Sequence, residues 1–160
     1  MSIAISAAAQ GILRTAGWFE GRTVDIQPVE IVLRQQGFEV SPSCKKFLVE
    51  FHGLRVEPKK GGSFSVVDFN VFEEVAWFEA DDKPFLAHLF KNSLCPIGLA
   101  TMTWLFMTST GEMIALSDQW LHYVRLPNVI EGIDWLFGVA ARKDYMTVQI
   151  KNDEKPPEFR

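Results

Sequence analysis

The sequence is poor in the residues that most often carry chemistry. Cysteine occurs twice, at Cys44 and Cys95, and histidine three times, at His52, His88 and His122. Neither type falls in a CxxC pair, an HExxH box or a mixed ligand spacing, which argues against a zinc site and a disulfide-stapled scaffold. The two thiols read as reduced and buried, since free cysteine behaves as a small hydrophobe. A GxSxG elbow, a GxxxxGK[ST] phosphate loop and a GxGxxG fingerprint are all missing, and Gly61-Gly62 lacks the strand-to-helix context that a phosphate loop requires. Glu73-Glu74 and Asp81-Asp82 are adjacent pairs, and neighbours on a helix point apart, so neither pair spans a cleft as glycoside hydrolysis requires. The expectation is a protein with no cofactor, no metal and no catalytic residues.

Positive charge and long apolar runs are also scarce. The net charge of -4 leaves no basic excess to neutralise phosphates, which argues against a nucleic-acid partner. No run approaches the roughly 20 apolar residues that a membrane span needs. Residues 3–12 are apolar, but no basic residue precedes them and the first is Arg14, so a secretory signal is not expected. The chain is therefore expected in the cytoplasm, with no membrane partner.

Hydrophobic residues are plentiful. They make up 48% of the 160 residues and include thirteen Phe and five Trp, enough for one full core. Ile5, Ala8, Ala9, Ile12, Leu13 and Ala16 recur at helical spacing, with Ser2 as the expected cap and Gly17 as the stop. Residues 18–24 read as an exposed turn or short extended piece. Pro28 opens a second helix, with Val29, Val32 and Leu33 buried and Gly37 closing it. Ser41-Pro42 opens a third, with Phe47, Leu48 and Phe51 inward and Gly53 ending it. The period then shortens to two. Strands are expected at 54–57 and 64–68 around a 58–62 hairpin loop, then helices at 71–80 and 84–91.

Further strands follow at 94–101, 104–108, 112–116 and 119–124, with Ser109-Thr110-Gly111 a tight turn. Asn128 with Glu131 three residues on opens a last helix, with Ile133, Leu136, Phe137 and Ala140 on its apolar side. Tight turns between short strands favour an antiparallel meander. The fold class is α+β, an antiparallel sheet flanked by helices in a single domain over residues 1–150, with a loose polar tail at 151–160.

One stretch has the character of a contact surface. Between Ser63 and Asp82 lie Asp68, Glu73, Glu74, Glu79, Asp81 and Asp82 with no Lys or Arg, interleaved with Phe64, Phe69, Phe72, Trp77 and Phe78. With Phe72 and Phe78 inward, Trp77 leans out among the acids. An aromatic anchor ringed by carboxylates suits a basic protein partner. The competing reading is a solvated acidic helix face.

Ala16-Gly17-Trp18-Phe19-Glu20-Gly21-Arg22 followed by Val24-Asp25-Ile26 resembles the N-terminal signature of the SUKH superfamily, in particular its third subfamily of immunity proteins, with a Smi/Knr-like fold. The Leu33 to Phe38 step, the Phe47 to Leu54 stretch, Leu94-Cys95-Pro96-Ile97-Gly98 and Gly111-Glu112-Met113 resemble later boxes of the same family in order. Cys95 stands where the family has tyrosine, and Met113-Ile114 where it has Val-Tyr. The resemblance implies a SUKH-like α+β domain that binds and blocks a cognate bacterial toxin of a polymorphic toxin system, commonly a nuclease or nucleic-acid deaminase encoded beside it. A non-toxin regulatory or scaffold module of the same fold is the alternative. From the residues themselves, the Gly17 to Arg22 box reads as a packing element. Trp18 lies across the sheet or under the first helix, and Arg22 pairs with Asp25 or caps a helix end.

Overall fold

The computed structural model describes residues 3–58, 64–71, 80–139 and 145–160. Among these, five α-helices accompany a seven-stranded sheet: α1 (Ala7–Thr15), α2 (Gln27–Gln35), α3 (Pro42–Phe51), β1 (Arg55–Val56), β2 (Val67–Asp68), α4 (Lys83–Phe90), β3 (Leu94–Ala100), β4 (Thr103–Thr108), β5 (Met113–Ser117), β6 (His122–Leu126), α5 (Val129–Phe137) and β7 (Thr147–Gln149). The strands lie in chain order and every neighbouring pair is antiparallel, so the sheet is the expected meander.

The helix starts follow local chemistry. Ser41 caps α3 by accepting from the Cys44 N–H at 3.2 Å, and Asn128 caps α5 by accepting from the Glu131 N–H at 2.9 Å. Helix α1 is capped by Ser6, whose hydroxyl accepts from Ala9 N–H; the expected cap, Ser2, lies outside the described residues. The Ser6 hydroxyl also donates to Asp134, which ties the start of α1 to α5. The 58–62 loop lies largely outside the described residues, and the 71–80 helix almost wholly so.

Register places the layers. Residues directly opposite in an antiparallel ladder share a face. Cys95, Met107, Met113 and Leu126 form one row, and Asp68, Leu99, Trp104, Leu116 and Tyr123 form another on the opposite face. Cys44 of α3 reaches Cys95, and Gly132 of α5 lies on Met113, so α3 and α5 cover the first face. Phe90 of α4 packs edge-on against Tyr123 at 4.8 Å between ring centroids, so α4 covers the second. Strands β4 and β5 are buried along almost their whole length, because both faces are covered. Under α3, Phe47, Phe51 and Phe69 form a ring cluster with centroids 4.8–6.0 Å apart.

Three expectations are corrected. Cys44 and Cys95 are not a pair of reduced thiols: they form a disulfide between α3 and β3, 51 residues apart with Cα atoms 6.5 Å apart. The last expected strand moves from 119–124 to His122–Leu126. Trp120 takes a left-handed φ of 56° and buries its ring, while the Ser117 hydroxyl accepts from the Leu121 and His122 N–H groups and makes 117–121 a turn. The segment after Ile150 is not a free tail in the fold. It forms short 3-10 turns at Asn152–Glu154 and Pro157–Phe159, buries Lys155 and Pro156, and sets Phe159 against Trp120.

Candidate partner-binding site

The Gly-bracketed box is a structural hub. Gly17 and Gly21 have φ of 101° and 81°, which a side chain rarely adopts, and they turn the chain tightly on either side of Trp18. Trp18 is buried, and its indole N–H donates to Glu50 Oε1 at 3.1 Å, while Arg14 lies over its ring. Glu50 is buried on α3, and its other oxygen accepts from the Ile3 N–H at 2.8 Å. Arg22 donates to the Glu50 and His52 carbonyls, so it caps the C-terminal end of α3. Asp25, the other suggested partner, instead accepts from the Gln27 N–H ahead of α2. Burial lowers the Arg22 guanidinium from its ordinary value, and the Glu50 charge opposes that shift. His52 is lowered chiefly by burial. Replacing Glu50 by Ala leaves the buried indole N–H unsatisfied, and is expected to cost about 2–3 kcal/mol in urea unfolding; an unchanged midpoint would show that the hub is dispensable.

The acidic stretch divides. Glu73, Glu74, Trp77 and Glu79 lie outside the described residues, as do Phe72 and Phe78. Asp68 is engaged within its own hairpin: one oxygen faces Arg55 at 3.3 Å and the other accepts from the Asn70 N–H at 2.9 Å. Asp81 is exposed, but Asp82 is only 6% exposed, so it is not part of a solvated face. Both precede α4, on the side of the sheet where the Asp68 row also points.

Asp81 and Asp82 open onto a cleft of about 570 Å³ that sequence reasoning did not find. Phe85, Pro156, Pro157 and Glu158 complete its lining. Phe85 of α4 and Phe159 of the C-terminal segment both lean on Trp120, with ring centroids 6.4 Å and 6.3 Å away, and so bring the two walls together. A smaller cleft of about 220 Å³ lies between α4 and the segment after α2, where the Lys83 ammonium sits 4.9 Å from the Phe38 ring centroid. Among the described residues, no three His, Cys, Asp or Glu side chains are grouped to hold a metal ion.

The model of the SUKH-3 immunity protein family matches residues 5–136, from ahead of α1 to within α5. The chain belongs to that family. No curated protein and no solved structure matches it. The SUKH-3 match takes in the Trp18 hub, the cysteine pair and one wall of the cleft. The other wall, Pro156 to Glu158, lies beyond the matched span. No helix among the described residues is long and apolar enough to cross a membrane.

Proposed function

We propose that this SUKH-3 protein acts as an immunity protein: it binds a cognate bacterial toxin domain in the cytoplasm and blocks it, without catalysis. The observation that carries this reading is the family match over residues 5–136. The toxin is proposed to be a basic protein such as a nuclease or nucleic-acid deaminase, since a net charge of -4 and an acidic segment at 68–82 favour a cationic surface. The acidic stretch, Asp68, Glu73, Glu74, Trp77, Glu79, Asp81 and Asp82, is the proposed docking region, and its described ends lie on the α4 side of the sheet. The Cys44–Cys95 disulfide is buried, so once formed it is shielded from exchange with thiols in the cytoplasm. Cys44 is 0% and Cys95 1% exposed, and thiol–disulfide exchange needs access to a sulfur.

The test is co-expression with the toxin domain encoded beside this chain. Growth rescue and a complex that survives size-exclusion chromatography are expected, with a buried interface of roughly 1,200–2,000 Å². Failure of both rescue and co-elution would reject the reading in favour of a non-toxin regulatory or scaffold module.

A further inference from the structure

The cleft before α4 has a floor and a rim of different chemistry. Phe85 and Pro157 supply apolar surface and Asp81 and Glu158 supply exposed carboxylates, while Asp82 and Pro156 line the cleft but are themselves buried. Its volume of about 570 Å³ suits an inserted side chain with its flanking backbone rather than a whole helix laid across it. An acid rim above an aromatic and proline floor is complementary to a planar cation. Arginine stacks its guanidinium on aromatic faces and offers five N–H donors in a fixed fork, whereas a lysine ammonium is a compact, strongly hydrated charge that stacks poorly. The cleft is also held open by construction: Trp120, only 2% exposed, braces Phe85 on one side and Phe159 on the other, so its walls come from segments packed on one buried ring.

We propose that this cleft is the anchor seat for an arginine side chain on the partner protein, its guanidinium stacked over Phe85 and Pro157 and held by Asp81 and Glu158. This rests on the immunity reading for the partner's identity, and it adds the residue type that the partner presents. It also moves the centre of the contact from the acids of the 68–82 stretch alone to their junction with the C-terminal segment.

The test has two arms. In the first, the isolated full chain is titrated with the capped pentapeptide Gly-Gly-Arg-Gly-Gly and with the same peptide carrying citrulline, the neutral isostere, while backbone amide shifts are followed. Saturable shifts at Asp81, Phe85 and Glu158 with the arginine peptide, at least threefold weaker with citrulline, are expected. No shift there, or equal shifts with both peptides, would overturn the proposal. In the second arm, affinity for the neighbouring toxin domain is measured for Asp81→Asn, Glu158→Gln and, as a charge-matched control away from the cleft, Glu20→Gln. Losses of about tenfold for each cleft variant, against less than twofold for the control, are expected. Equal losses in all three would mean general charge attraction and would also overturn the seat. Absence of any complex with the unaltered chain would reject the immunity reading, and the peptide arm would still decide the cleft.

Discussion

Gly98→Ala is expected to destabilise the protein by about 3 kcal/mol, because the added methyl group has nowhere to go. Gly98 sits at the irregularity in β3, where the register against β4 shifts between Pro96 and Gly98. A Cβ there would overlap the Asp68 carbonyl oxygen and stand 3.1 Å from Phe69 Cδ1. A carbonyl in a strand cannot rotate aside, so β2 must move away from β3. That movement loosens the Phe69 ring from Phe47 and Phe51. On a domain of this size the change corresponds to a fall of roughly 6–12 °C in Tm. Gly11→Ala is the contrast. It lies within α1 with nothing within 4 Å of its added Cβ, so it is expected to stabilise the chain by up to about 1 kcal/mol. Thermal unfolding of the two variants checks both signs, and a Gly98→Ala midpoint equal to the unaltered protein's would refute the close approach.

Breaking the Cys44–Cys95 bond is expected to have the largest effect of all, up to about 4 kcal/mol, since the cross-link closes 51 residues of chain and restricts the unfolded ensemble. Urea unfolding with and without a phosphine reductant measures it, because the unfolded chain exposes the bond that the native core hides. Thiol titration of the unreduced, unfolded chain should find no free cysteine; two reactive thiols would show that the pair is not bonded.

Gly98 and the Trp18–Arg22 box each have a physical role in this fold. Gly98 closes the Leu94-Cys95-Pro96-Ile97-Gly98 box because β2 passes too close for a side chain. Trp18 and Arg22 serve the end of α3 by donating to Glu50 and His52, so these residues of the most recognisable box act in packing. The surface proposed for the partner lies elsewhere, against α4, and half of its cleft is built from residues outside the family match.

Much of the fold was legible in the residues. Ser41-Pro42 and Asn128 start helices because a hydroxyl or amide oxygen beside free N–H groups is a local device. The meander follows from short apolar segments joined by tight turns such as Ser109-Thr110-Gly111, whose Gly111 has a φ of 90°. What depended on distance in space was not legible. Cys44 and Cys95 carry no mark of pairing until α3 is laid on β3. Asp82 looks like any surface acid until α4 and the C-terminal segment close around it. Trp120 reads as a strand residue until its ring is placed between Phe85 and Phe159. By itself, then, the sequence determined the α+β class and the antiparallel meander of its later strands, because propensity, capping and apolar period act within a few residues, while the family showed through a resemblance of ordered boxes and β7 went unread. The disulfide, the buried acid and the cleft at Asp81 were decided only by the tertiary structure, because each is a contact between segments whose separation along the chain leaves no local trace.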